Sequence, residues 1–312
     1  MRRNGLIKQI IKHRFAYYFI LPTIIGMLLL HALPIFQGIY MSFLRLNHLT
    51  ISQYLMAPFV GFGNYYEILL NPTSPIRIGL LDAVRNTFIY TLVVTVGTIS
   101  VGLIVAMMLN RKFAGRGLFR TLFLFPWVVP TYVTGLLWGF MWQRDIGIIN
   151  IVLHDILHIL PDKPFWLVGP NTLWAIIIPT IWRFWPLNML MLLAGLQQIP
   201  DELYEAAEID GASGWKKFWS ITFPLLRPVW SILILFGLIY NTYSFNIVIM
   251  MFGYGAGFPG EWGDLMMTNI FRNTFQRWDF GTGAAASVML MIVMITAVNI
   301  WFKYYKKSEE MM

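Results

Sequence analysis

No cysteine occurs in the 312 residues. Disulfides and thiolate metal sites are therefore outside the design, while the redox compartment cannot be read from their absence. Charge is scarce too: Asp, Glu, Lys and Arg make up 12% of the chain against 57% hydrophobic residues, about half the charged share of a soluble domain. The chain reads as an integral membrane protein. There is no G-x-x-x-x-G-K-S/T phosphate loop, which excludes ATP binding of the P-loop kind, and no G-x-S-x-G nucleophile turn. Few acidic residues fall inside the apolar runs, although a proton-coupled carrier needs intramembrane carboxylates or histidines. Nor do the two halves of the chain repeat one another, as those of a self-sufficient carrier would.

What is present in quantity is apolar sequence. A helix crossing roughly 30 Å of hydrocarbon needs about 20 apolar residues, and six stretches meet that need, at residues 16–42, 86–109, 118–142, 171–195, 229–252 and 283–302. The net charge of +8 does not point to nucleic acid, because the basic residues sit in short clusters at the ends of apolar runs. One side of the membrane receives Arg2, Arg3, Lys8, Lys12, Arg14, Arg111, Lys112, Arg116, Arg120, Lys216, Lys217, Arg227, Lys303, Lys306 and Lys307. The other receives fewer: Arg45, Arg77, Arg85, Arg144, Lys163, Arg272 and Arg277. The positive-inside rule makes the first side cytoplasmic, with both termini on it. The first apolar run is too long for a signal-peptide core and is read as a retained span. The expected organisation is a cytoplasmic segment at 1–15, a transmembrane domain at 16–302 with a cytoplasmic loop at 196–228, and a cytoplasmic tail at 303–312.

That loop is the polar stretch around which the chain is organised. Pro200 and Asp201 suit a helix start, and Glu202, Glu205 and Glu208 place negative charge near its positive end. Leu203, Ala206, Ala207 and Asp210 recur at helical spacing, so the alanines leave one face shallow enough for close approach by another protein. Gly211 can take a left-handed conformation and Ser213 can cap a second helix bearing Trp215, Phe218, Trp219 and Ile221. Pro224 and Pro228 bound the exit. An amphipathic linker lying on the bilayer would satisfy Trp215, Lys216, Lys217 and Trp219 alone, but it would not require the whole spacing.

Glu205-Ala206-Ala207, Gly211 six positions after the glutamate, and Ile221-x-Phe223-Pro224 together resemble the EAA loop of permease subunits in binding-protein-dependent ABC importers. The family usually has leucine where Phe223 stands. The fuller form EAAEIDGAS resembles the carbohydrate-uptake branch, as do Val60-Gly61 with Asn64-Tyr65 and the Asn86-Thr87 pair expected to open the second span. The long outer segment before that span favours the larger of the two permease types, similar to the maltose-system member. The resemblance implies an all-α permease fold of the type I importer kind. It also implies that Glu205, Ala206, Ala207, Asp210, Gly211 and Ala212 form a coupling helix docking on an ATP-hydrolysing subunit. The implied partners are a homologous second permease, two ATP-binding subunits carrying ATP and Mg, and an extracytoplasmic sugar-binding protein. No cofactor is expected on this chain itself.

Candidate pathway residues come from the polar positions inside the spans. Arg183 in the fourth span, within Trp182-Arg183-Phe184-Trp185-Pro186 and followed by Asn188, is costly at mid-bilayer and should face protein or a water-filled cavity. Aromatic rings stack on sugar faces and a guanidinium donates to hydroxyls; the alternative is that Arg183 caps carbonyls freed by Pro179 or Pro186. In the fifth span Tyr240, Tyr243, Ser244 and Ile247 share helical spacing, with Asn241 and Asn246 nearby. They either line a translocation path or make interhelical hydrogen bonds. His154 and His158, at i and i+4, have zinc-like spacing but no third ligand, and an interfacial helix capped by Pro161 is preferred. The competing function classes are a stand-alone secondary transporter and a membrane-embedded enzyme.

Overall fold

The computed structural model describes residues 13–253 and 257–309. Arg2, Arg3, Lys8 and Lys12, residues Tyr254, Gly255 and Ala256, and the last three residues of the tail lie outside them. The principal helices in chain order are α1 (Arg14–Met41), α2 (Leu80–Asn110), α3 (Arg116–Phe123), α4 (Thr131–Met141), α5 (Thr172–Leu196), α6 (Asp201–Ile209), α7 (Arg227–Thr242), α8 (Asn246–Met251) and α9 (Phe280–Glu309). Among the described residues the only extended pairings are two isolated bridges, Leu44 with Phe59 and Asn47 with Asp279. The fold is all-α.

Four helices are long and apolar enough to span a bilayer, at Arg14–Met41, Leu80–Asn110, Gly169–Leu196 and Phe280–Tyr305. The third expected span is instead broken, and the fifth is entered through a bend just before its expected start at residue 229. Arg116–Val128 meets α4 at 85°, and Gly214–Leu225 meets α7 at 67°. Counting each bent pair as one span restores six. The breaks have local causes. Pro126 and Pro130 remove two donors around the first, and Pro224 and Pro228 flank the second. A third departure lies at the end of α7, where Phe245 leaves helical geometry (φ −143°, ψ −52°). Tyr240, Tyr243, Ser244 and Ile247 therefore do not form one helical face, and residues 229–252 do not form one helix.

The chain divides into two compact units. In the first, comprising residues up to Ser74 with Asn273–Ile292, the Asn64-Tyr65 pair acts as a latch. The buried Asn64 amide donates to the carbonyls of Ser42 and Leu44 at 2.8 and 2.9 Å, and the Tyr65 hydroxyl lies 2.7 Å from Ser42 Oγ. This holds the turn after α1, where Leu44 and Leu46 are fully buried. The α1 surface is almost wholly apolar and exposed from Phe15 to Tyr40, as suits a helix bathed in lipid.

The second unit, Pro75–Arg272 with residues from Val293 onward, is centred on α2 against α5 and α7. Small residues on α2 permit the approach: a Cβ on Gly102 would meet the backbone of Met189 at 2.9 Å. One apolar cluster surrounds Tyr90, Val94, Ile176 and Val248; a second surrounds Leu109, Leu192 and Leu226 and reaches Tyr204 of α6. Asn86 and Thr87 lie inside α2 rather than opening it, because residues from Leu80 already continue the helix. The Asn86 amide donates to the carbonyls of Glu261 and Asp264, and Thr87 accepts from the Met266 amide. These bonds fasten the loop before the last span.

Candidate functional site

The polar loop folds as a helical hairpin. Pro200 sits in extended geometry before α6, and Asp201 and Glu202 occupy its first turn, where their charge complements the unpaired amides. At the other end Gly211 has φ +72°, a value that an L side chain adopts at a cost. Its amide bonds to the Glu208 carbonyl and the Ala212 amide to that of Ala207, at 3.0 and 2.8 Å. This closure satisfies carbonyls that would otherwise end the helix unpaired. Ser213 Oγ then accepts from the Lys216 amide and starts the second helix. Lys217 pairs with Glu208, and the Tyr204 hydroxyl lies 3.0 Å from Thr222 Oγ1. Two short helices thus turn as one piece.

Of the six residues expected to couple to a partner, Glu205, Ala206, Asp210 and Gly211 are exposed, while Ala207 and Ala212 are half-buried under the turn. Ile209 is 88% exposed and Trp215 73%. Apolar side chains this accessible on a polar hairpin form a surface suited to another protein. Trp215, Phe218, Trp219 and Phe223 pack behind it in edge-on and tilted contacts.

A cavity of about 520 Å³ is lined from α2 by Thr98, from α5 by Phe184 and Asn188, and from the α7–α8 break by Tyr240, Asn241, Tyr243, Ser244 and Asn246. None of its lining residues is charged. The break supplies the polar content: backbone irregular at membrane depth is tolerated where it lines a cavity or lies buried in protein. Asn241 and Ser244 hold the break in place through the Thr95 hydroxyl at 3.0 Å and the Tyr90 hydroxyl at 2.8 Å, the latter also 3.0 Å from Thr180. Tyr240 and Tyr243 remain exposed. Interhelical bonding and cavity lining, opposed on spacing alone, are combined in one segment.

Trp182, Arg183 and Trp185 are placed elsewhere. The Arg183 guanidinium donates to the carbonyls of Pro126 and Trp127, at 3.4 and 3.0 Å, and to that of Val129. It fills the gap between Arg116–Val128 and α4. The freed carbonyls it serves belong to that break, not to Pro179 or Pro186. Trp182 packs edge-on to Trp138, and Trp185 to Phe123. Phe184, between them, is the ring that reaches the cavity. Thr98 and Thr131 also line the cavity; the sequence does not single them out, because Thr91, Thr95 and Ser100 share α2 with Thr98 and Thr134 follows Thr131, and only the meeting of helices decides which hydroxyl faces the cavity.

His154 and His158 do not share a helix face. Residues Ile151–Ile156 form a π-type turn, and His158 lies beyond its end at φ 48°. His154 bonds Asp155, whose other oxygen accepts from Lys163 at 2.7 Å. Lys163, then His154, holds the exposed Asp155 carboxyl below its ordinary range. Among the described residues no group of three His, Cys, Asp or Glu side chains could hold a metal ion.

Comparison with known proteins extends these observations. The chain is 31% identical over 285 residues to the inner membrane ABC transporter permease protein YcjO of Escherichia coli, covering 91% of this chain and 92% of that one. It is 32% identical over 291 residues to the trehalose/maltose transport system permease protein MalF of Thermococcus litoralis, covering 93% of each. The fold matches a chain of a bacterial alginate ABC transporter, solved in complex with alginate pentasaccharide-bound periplasmic protein, with a TM-score of 0.76, 22% identity and 94% coverage of both chains. Residues 98–309, which include the cavity-lining helices and the hairpin alike, match the pattern of the binding-protein-dependent transport system inner membrane component. With that match over most of the chain and identity sustained along nearly its whole length, this multi-pass membrane protein belongs to the family of binding-protein-dependent transport system inner membrane components.

Proposed function

We propose that this chain is the permease subunit of an ATP-driven importer that takes up a sugar or oligosaccharide by alternating access. The observation that carries the reading is the pairing of an uncharged cavity rich in hydroxyl, amide and aromatic groups with a rigid external hairpin. Hydroxyls and amides hydrogen-bond sugar hydroxyls without demanding charge, and Phe184, Tyr240 and Tyr243 offer rings for the apolar faces of a pyranose. The relative described as a trehalose/maltose permease supports the substrate class.

Energy enters from outside the chain. The hairpin with Glu205, Ala206, Ala207, Asp210, Gly211 and Ala212 docks on one of two ATP-binding subunits, which carry ATP and Mg, on the cytoplasmic side with both termini. A homologous permease completes the pathway, and a binding protein delivers substrate from the other face. Closure of the ATP-binding subunits moves the hairpin as a lever, and Tyr204 transmits the displacement into the cluster around Leu196 and Leu226. The binding protein favours the outward-open state, since a ligand shifts an equilibrium only by its differential affinity for the two states.

Mild solubilisation of the tagged protein from native membranes tests the assembly. Recovery of a second permease with two copies of a P-loop ATPase, whose hydrolysis rises with binding protein and sugar, is expected. A lone chain or homo-oligomer that persists after crosslinking would instead support a self-sufficient carrier.

A further inference from the structure

Helix α3 holds two arginines that the transport reading leaves unused. Arg116 and Arg120, one turn apart, both reach Gln197 at the end of α5. In the amide orientation that pairs donors with an acceptor, Gln197 Oε1 accepts from Arg116 at 2.9 Å and from Arg120 at 2.7 Å. Two full positive charges thus converge on a single neutral oxygen. Among the described residues neither guanidinium pairs with a carboxylate. The Nε of each is buried without a hydrogen-bond partner, yet both residues remain partly accessible. Like charges held this close repel, and the arrangement is relieved by an anion accepting from both forks.

The rest of α3 indicates where such an anion comes from. Leu118, Phe119 and Leu122 are 63%, 43% and 54% exposed, so the helix presents an apolar surface as well as its arginines. Phe113, Phe119 and Phe123 form a ladder with successive centroids 6.0 Å apart. The helix follows directly on the end of α2, a membrane-crossing length, which sets it at the bilayer surface. A short helix with apolar side chains for acyl chains and basic ones for headgroups is built for that interface.

We infer that Arg116, Arg120 and Gln197 form a phosphate-binding site occupied by the headgroup of an anionic phospholipid. The site holds α3 against the end of α5, immediately before the hairpin, so its occupant braces the segment through which the hairpin is attached.

The experiment uses the whole complex in nanodiscs of phosphatidylcholine, with or without phosphatidylglycerol, followed by thermal unfolding and by mass spectrometry of retained lipid. Phosphatidylglycerol is expected to raise the unfolding temperature and to be retained. Arg116→Gln with Arg120→Gln should weaken retention roughly 30-fold, the factor that losing two hydrogen bonds of about 1 kcal/mol each supplies. Arg116→Lys with Arg120→Lys should restore most of it, and Arg111→Gln with Lys112→Gln, altering exposed cations nearby, should change little. If the glutamine pair does not assemble, the single substitutions Arg116→Gln and Arg120→Gln should each weaken retention by a smaller factor, and no loss in either would overturn the site. Inorganic phosphate alone reproducing the thermal shift would assign the site to free phosphate and overturn the lipid source. Equal behaviour in the two lipids, or equal loss with the Arg111 and Lys112 pair, would overturn the site itself.

Discussion

Gly211 and Arg183 show how differently single residues serve this protein. A Cβ on Gly211 would meet nothing within 4 Å, so its importance lies wholly in its φ of +72°. Gly211→Val should strain the hairpin by about 1–2 kcal/mol without a clash. The complex should therefore assemble while substrate-stimulated ATP hydrolysis and uptake fall together; undiminished uptake would count against the hairpin as a lever. Arg183 is the converse, a residue whose side chain matters and whose place is structural. Arg183→Gln leaves carbonyls of the break between Arg116–Val128 and α4 underserved, at roughly 1–3 kcal/mol for each buried one left unpaired. A lower unfolding temperature with an unchanged apparent affinity for sugar is expected. Tyr240→Ala and Asn188→Ala should do the opposite, raising the sugar concentration needed for half-maximal uptake several-fold while the complex melts normally. The sequence alone placed Gly211 and Ser213 correctly, because a turn's backbone demand is local. It could not place Arg183, whose partners lie more than fifty residues away.

At the scale of elements, the apolar runs and the hairpin were legible because length and helical period are properties of one segment. Pro126 and Pro130 likewise mark an interruption of the third span, but how far each break bends the chain was not legible. Whether Pro126, Pro130 or the Tyr243–Phe245 stretch bends a helix depends on what receives the freed backbone, and here Arg183, Thr95 and Tyr90 come from other helices. The loop before the last span makes the same point. Asp264, buried to 1% exposure, accepts from Thr268, Asn269 and Arg272, and Arg272 lies 3.7 Å above the Phe258 ring. Burial raises the Asp264 carboxyl above its ordinary range, with Arg272 opposing. The folded protein then holds that proton more tightly than the unfolded chain does. This carboxyl's contribution therefore declines as pH rises between the ordinary and the raised pKa, and is largest in acid. Arg272→Ala widens that interval and leaves a buried charge unpaired, a loss of about 3–5 kcal/mol. Thermal unfolding should show a larger penalty near neutrality than at roughly pH 5; an equal penalty at both would remove Asp264 from the account.

The whole molecule separates its tasks by composition. Its cavity is uncharged, its long exposed helices are apolar, and an acidic surface is concentrated on one hairpin between two apolar runs. The chain has no P-loop of its own, and the proposed function assigns coupling to ATP to that hairpin. The claim can be tested directly because the chain has no cysteine: Ala206→Cys, at an exposed position on α6, introduces a unique thiol. In membranes carrying the full complex, a short thiol-to-amine crosslinker should join this position to the ATP-binding subunit, with a yield that changes on adding ATP. The same thiol at Leu118, on the lipid-facing side of α3, should not be joined. Crosslinking of Ala206→Cys to lipid-embedded chains only, with the ATP-binding subunit unlabelled in an actively transporting complex, would contradict the account.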